Sequence, residues 1–233
     1  MIYGIIGAMP EETEALKKNI DGLITHKIGS KEYYTGKINN RDVVLTCSGI
    51  GKVSASLAAS ILITRFNADL VINTGVAGGL KPETKVLDVV IGTGACQHDF
   101  DLRIFNYKLG QVPGFDPVIA LDGEYVNKAV AAACKSAEKY GFRVHTGIVI
   151  SGDQFITGTE HNKMLTDNFP EAYATEMEGA AIVQAAAILE KPAIIIRTIS
   201  DNAGEKAEMT FEEMLPLATR NSQDITLKLL EIL

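Results

Sequence analysis

Along the chain, short runs of apolar residues alternate with longer stretches in which apolar positions recur every three or four residues. The run "IYGIIGAM" over 2–9 reads as a strand buried on both faces, and Pro10, Glu11 and Glu12 follow it directly. Proline suits a first helical position, and acidic side chains favour the positive end of a helix, so the spacing predicts a helix over about 10–20. "EYYTGKINNRDVVLTCSG" alternates around Asn39-Asn40 and predicts a hairpin. Helices are then expected over 52–66, 122–140, 160–168, 178–190 and 210–232. Strands are expected over 68–80, 85–95, 142–155 and 192–201. Such alternation, with one hairpin, implies an α/β fold: a three-layer α/β/α sandwich around a mixed central sheet, in a single domain spanning 1–233. Over 97–121 the period is lost among aromatics and two prolines, and a loop that long is usually functional or part of an interface.

Composition sharpens this picture. Hydrophobic residues make up 46% of the 233, but only 6% are aromatic and Trp is absent, so the core must be aliphatic and rich in Ala. The formal net charge is −7 and the 22 Lys and Arg form no cluster, which argues against a nucleic-acid partner. Cys47, Cys96 and Cys134 lack any spacing suited to zinc or a disulfide framework and read as small buried residues in a reducing compartment. The N-terminus has no basic segment, and no apolar stretch reaches the ~18 residues of a membrane span. A cytoplasmic protein with no membrane partner is expected.

In α/β sheets, ligands bind beyond the carboxyl ends of the strands. The predicted strands deliver there Ala8, Met9 and Glu12; Ser48 to Gly51; "NTGVAGGL"; "SGDQFITG"; and Ser200 with Asp201. The glycines do not form a phosphate loop, because Val53 follows Lys52 where Ser or Thr is required and Thr46 occupies the first Gly position. They serve either as turns or as places where backbone approaches a ligand, and spacing does not separate the two. Glu12, Glu178 and Asp201 each adjoin an apolar strand. Any one alone is better read as a helix cap or a first-turn charge. Three together, with no nearby Lys, point to a pocket that does acid–base work. In "TEMEGAAI", Glu176 and Glu178 share a face if the segment is extended, and the pattern leaves open which enters the site.

"GIIGAM" with Glu12, "SGIGKV", "NTGVAGGL", "HDFD", "GQVPG", "SGDQFI", "TEMEGAAI" and "RTISD" occur in this order. In this the chain resembles the 5′-methylthioadenosine/S-adenosylhomocysteine nucleosidases of the purine nucleoside phosphorylase-like superfamily, from about residue 2 to 232. The resemblance implies a homodimer that hydrolyses the N-glycosidic bond of small adenine nucleosides, with no cofactor and no metal. It makes Glu12 the base that activates water and Asp201 the acid that protonates adenine N7, with Ser200 and Arg197 supporting the Asp201 loop. It makes Glu178 the grip on the ribose hydroxyls, with Met177 packed against the sugar. Phe155 stacks on the base, the backbone of Ile156 reads its edge, and Ala77 and Gly78 line the adenine and ribose side. Met9 and Ile50, with Leu102, Phe105 and Pro113 of a neighbouring subunit, surround the 5′-alkylthio group. The same likeness extends to 5′-deoxyadenosine as a substrate and to methionine salvage as the setting.

The chain departs from the family pattern at Val76, often Ser, and at Arg103, Asn106 and Lys108 in the 97–121 loop. Arg103 and Lys108 raise the expectation of positive charge at the 5′ opening, against a reading as solvated surface charge. Three rivals stand beside the nucleosidase reading. A phosphorylase would need cations around the attacking anion, and the first cation, Lys17, points away along its helix. A nucleoside-binding sensor would not need all three acids. A hydrolase of a futalosine-like nucleoside would differ only at the 5′ pocket. His98 beside Asp99 and Asp101 reads as loop packing rather than a metal site.

Overall fold

Strand β1 (Ile2–Gly7) sends Tyr3 and Ile5 into one apolar layer and Ile6 into another, as the two-residue period of a strand requires. In the computed structural model, which describes residues 1–203 and 207–233, the other strands are β2 (Asp21–Ile28), β3 (Lys31–Ile38), β4 (Arg41–Cys47), β5 (Leu70–Gly79), β6 (Val89–Gln97), β7 (Ile119–Ala120), β8 (Val144–Ser151), β9 (Ala172–Glu176) and β10 (Ala193–Asp201). The helices are α1 (Pro10–Lys18), α2 (Lys52–Phe66), α3 (Gly123–Tyr140), α4 (Thr159–Asn168), α5 (Gly179–Ile188) and α6 (Ala207–Ile232). One layer joins Ile194 and Ile196 of β10 to Leu16 of α1, Ala129 of α3 and Leu229 of α6. The opposite layer joins Ile195 and Ile199 to Leu62 of α2 and Ile182 of α5. Helices therefore cover both faces of a mixed sheet, in agreement with the expected α/β class.

The sheet also does something that the pattern did not announce. β5 pairs with β1 along its first half and with β9 through Gly78 and Gly79, while β10 runs beside it on the other edge. Since β10 continues through β6 and β8 to β9, the five strands β5, β10, β6, β8 and β9 close into a ring. The ring includes β5, β8, β9 and β10, whose ends deliver candidate chemistry, and β1, which leads to Glu12, pairs with β5.

Several expectations need correction: β7 falls inside the stretch expected to be a loop, and the strand expected over 142–155 spans only Val144–Ser151. β2 lies where no strand was expected, because residues 21–25 are exposed and show no alternation of apolar and polar positions. β2 is an edge strand held by backbone pairing to β3. β6 begins at Val89 rather than 85, because Asp88 folds back onto the Lys85 amide (3.0 Å) and Leu87 takes φ 73. The hairpin turn falls on Asn39 and Asn40, both left-handed at φ 51 and 62.

Candidate active site

Glu12 is the third residue of α1, and its carboxylate folds back over the helix start. Oε2 accepts from the amides of Ala8 (2.6 Å) and Met9 (3.0 Å), and Oε1 accepts from the amide of Val76 on β5 (3.0 Å). Burial pushes its carboxyl above the usual range, against the pull of Arg197 and the three amides. Gly75 makes this crossing possible, because a Cβ there would collide with both Glu12 Oε1 and Arg197 Nη1.

Asp201 stands at the end of β10, where the ladder to β5 shifts register between Ile199 and Asp201. Such an irregularity re-aims a side chain. Oδ1 accepts from the Ser200 hydroxyl (2.8 Å) and Oδ2 from the Ala203 amide (2.8 Å). Burial raises its pKa, more than these two donors lower it.

Both members of the pair left open by the sequence line the same cavity, and they differ in what holds them. Glu176, the last residue of β9, accepts from the amides of Glu178 (3.0 Å) and Gly179 (2.8 Å), from the Ser151 hydroxyl and from the Arg197 guanidinium. It is occupied in shaping the β9–α5 turn. Glu178, the N-cap of α5, receives only the Gly51 amide at 2.8 Å and lies 3.8 Å from Arg197. Burial first, then the charge of Glu176, pushes Glu178 up to about 8. Arg197 is fully buried, and its Nη2 also donates to Asn73 (2.6 Å). Burial alone would lower its pKa, but Glu176, Glu12 and Glu178 together hold it charged.

One cavity is lined by Glu12, Glu176, Glu178 and Asp201 together with Ala8, Met9, Ile50, Ala77, Gly78, Phe155, Ile156, Met177 and Ser200, among others. No Lys or Arg lines it among the described residues. Lys17 lies over the Tyr34 ring instead, 3.8 Å from its centroid. The arrangement offers four buried carboxyl groups of unequal support beside an aromatic wall, which is equipment for moving protons around a neutral or cationic ligand.

Comparison with known proteins decides the family. The family described as "Phosphorylase superfamily" matches residues 2–231. A 5′-methylthioadenosine/S-adenosylhomocysteine nucleosidase of Actinobacillus succinogenes is 41% identical over 230 residues, covering 99% of this chain and 98% of its own. The chain belongs to this nucleosidase family. The crystal structure of the Neisseria meningitidis nucleosidase in complex with methylthio-immucillin-A superimposes with a TM-score of 0.94 at 40% identity, over 100% of this chain and 99% of that one. The futalosine hydrolase of Helicobacter pylori shares the fold at 30% identity and a TM-score of 0.91, over 100% and 98% of the two chains.

One expected role in this nucleosidase family member falls elsewhere, and other positions gain detail. Arg197 does not support the Asp201 loop; it sits behind the cavity and braces Glu176 and Asn73. Leu102, Phe105 and Pro113, expected at a neighbouring subunit's pocket rather than their own, do not line the cavity of this chain, and Phe105 is 66% exposed. Arg103 brings no free charge, since it is paired in two-pronged fashion with Asp101 (3.0 and 2.7 Å). Val76 lines the cavity with its side chain while its amide serves Glu12. Sequence reasoning missed Phe211 of α6, which lines the cavity and meets the Phe155 ring edge-on at 5.4 Å. A lone aromatic in a long amphipathic helix carries no signal that separates it from core. His98 is buried, and the described residues contain no cluster suited to a metal.

Proposed function

We propose that the chain hydrolyses the N-glycosidic bond of 5′-methylthioadenosine and S-adenosylhomocysteine, releasing adenine. The single observation that carries this reading is the convergence of Glu12, Glu178 and Asp201 on one cavity with no cationic lining among the described residues. Adenine is a poor leaving group until its ring is protonated, and Asp201 in its acid form supplies that proton to N7. The C1′–N9 bond pair then leaves with the base. Glu178 in its ionised form, which Arg197 and the Gly51 amide favour against burial and Glu176, accepts from the ribose hydroxyls and favours the oxocarbenium-like sugar. Glu12 takes a proton from water as the oxygen bonds to C1′. Phe155 and Phe211 supply the wall on which adenine stacks.

Among the described residues no Lys or Arg lines the cavity, which supports water over phosphate as the nucleophile. We further propose a cytoplasmic homodimer serving methionine salvage, with 5′-deoxyadenosine as a third substrate. Exposed Val53, Leu57, Ile104, Phe105 and Ile188 support the dimer, and three free cysteines fit a reducing compartment. In the dimer, Leu102, Phe105 and Pro113 would close the partner's 5′ pocket.

The test is incubation with methylthioadenosine in phosphate-free buffer while free adenine is measured. Prompt release is expected. Release that depended strictly on added phosphate would make the chain a phosphorylase, and binding without release would make it a sensor. Because a futalosine hydrolase shares the fold, futalosine is run alongside, and a higher kcat/KM on it would displace the thioribosides.

A further inference from the structure

Glu178 depends on one loop amide, that of Gly51, which caps α2 with φ 97 and ψ 159. Only glycine adopts that conformation readily, so the amide must be held from outside by neighbouring groups. Three side chains from separate elements do so in a closed circuit. The Lys52 amide donates to Asp153 Oδ1 (2.8 Å), the Asp153 amide donates to Asp99 Oδ2 (2.9 Å), and Lys52 Nζ donates to Asp99 Oδ1 (2.5 Å). Lys52 Nζ also reaches Gln97 (2.9 Å), whose amide group meets Gln184 on α5 (2.5 Å), the helix that Glu178 begins. The Lys52 and Asp99 side chains are only 17% and 22% exposed, so this pair is shielded more than a surface ion pair.

We propose that Lys52, Asp99 and Asp153 are positioning residues whose circuit holds the Gly51 amide on the Glu178 carboxylate, fixing the group that grips the ribose. The same circuit ties the loop bearing Ile50 to the loop bearing Phe155, so both walls of the cavity share one brace. The inference rests on the ribose role of Glu178.

Opening the circuit frees Gly51, and Glu178 loses a donor that favours its charged form. The charged groups facing Glu178 are Glu176 of β9, Arg197 of β10 and Glu12 of α1, and none belongs to the circuit. Loss of a hydrogen bond to a charged group is worth about tenfold or more, hence a rise of about one pH unit in the Glu178 titration.

The experiment is a ¹³C-carboxyl titration of Glu178, assigned by its absence in Glu178→Gln, in the wild type, Lys52→Met and Asp99→Ala. The pH profile of kcat/KM on methylthioadenosine is measured in parallel. Both variants should move Glu178 upward, with about tenfold loss at the acid end of the profile, and Lys52→Arg should largely restore it. Were the two side chains acting only through their charges, Lys52→Met would raise the titration and Asp99→Ala would lower it. Opposite shifts, no shift, or an equal loss at every pH would overturn the proposal. Should either variant fail to fold, Asp153→Ala opens the same circuit while leaving the Lys52–Asp99 pair in place. A wild type that releases no adenine would refute the nucleosidase reading, while the titration would still decide the brace.

Discussion

A carboxyl group raised to about 8, as Glu178 is, keeps its proton when folded at pH values where the unfolded chain has lost it. The stability it contributes is full below the unfolded value of about 4.5 and is lost as pH rises through the folded value. Glu12 and Asp201 are shifted in the same direction, so the cavity as a whole should cost stability on the alkaline side. Glu178→Gln is therefore expected to raise the melting temperature at pH 8 and to change it little at pH 5; an equal change at both would contradict the assignment. Asp201→Asn should lower kcat about 10²- to 10⁴-fold, the range of a lost general acid, while methylthioadenosine affinity by calorimetry stays within a few fold. Although the pattern left Glu176 and Glu178 undivided, Glu12 and Asp201 were legible at this scale because each follows an apolar strand. The partner of Arg197 was not. It stands four residues before Asp201 on one strand, about 13 Å away at strand rise, so nearness in sequence pointed to the wrong neighbour. Only the register of β9 beside β5 and β8 brings Glu176 to it.

Helix α5 shows how an element can be read correctly and its purpose missed. Its Ala-rich pattern predicted a helix, and Ala180, Ala185 and Ala186 are buried in the layer shared with α2. Small side chains let the two helices approach closely, and α5 starts at Glu178, so its seating sets where that carboxylate stands. Ala186→Leu should overfill this contact, costing about 1–3 kcal/mol in urea melts, and should depress turnover as well. Retained stability with the extra side chain accommodated would show that the contact is looser than described. β2 marks the opposite limit: it is exposed, unpatterned and set by pairing alone, so no local rule revealed it.

For the whole molecule, layering was legible because each strand carries its own alternation, whereas closure of the sheet was not, since it depends on which distant strands meet. The proposed dimer belongs to this scale. Leu57, 59% exposed on α2, is far larger than a solvated helix face requires, and Leu57→Asp should yield monomers by sedimentation. The variant should also show a raised KM for methylthioadenosine, because the partner's contribution to the 5′ pocket goes with the interface. An unchanged sedimentation coefficient and KM would place the subunit contact elsewhere.

Ring closure has a further result for coexistence with other chains. Once β5, β10, β6, β8 and β9 satisfy one another, β2 is the only strand longer than two residues among the described residues that is left with a single neighbour. Every other such ladder is spoken for. An intruding strand, whether from a nascent chain or a damaged one, finds its docking rail only there, four strands from β5 and guarded by Asp21, His26 and Lys27. Self-templated clumping would therefore begin at the end of the sheet remote from the chemistry.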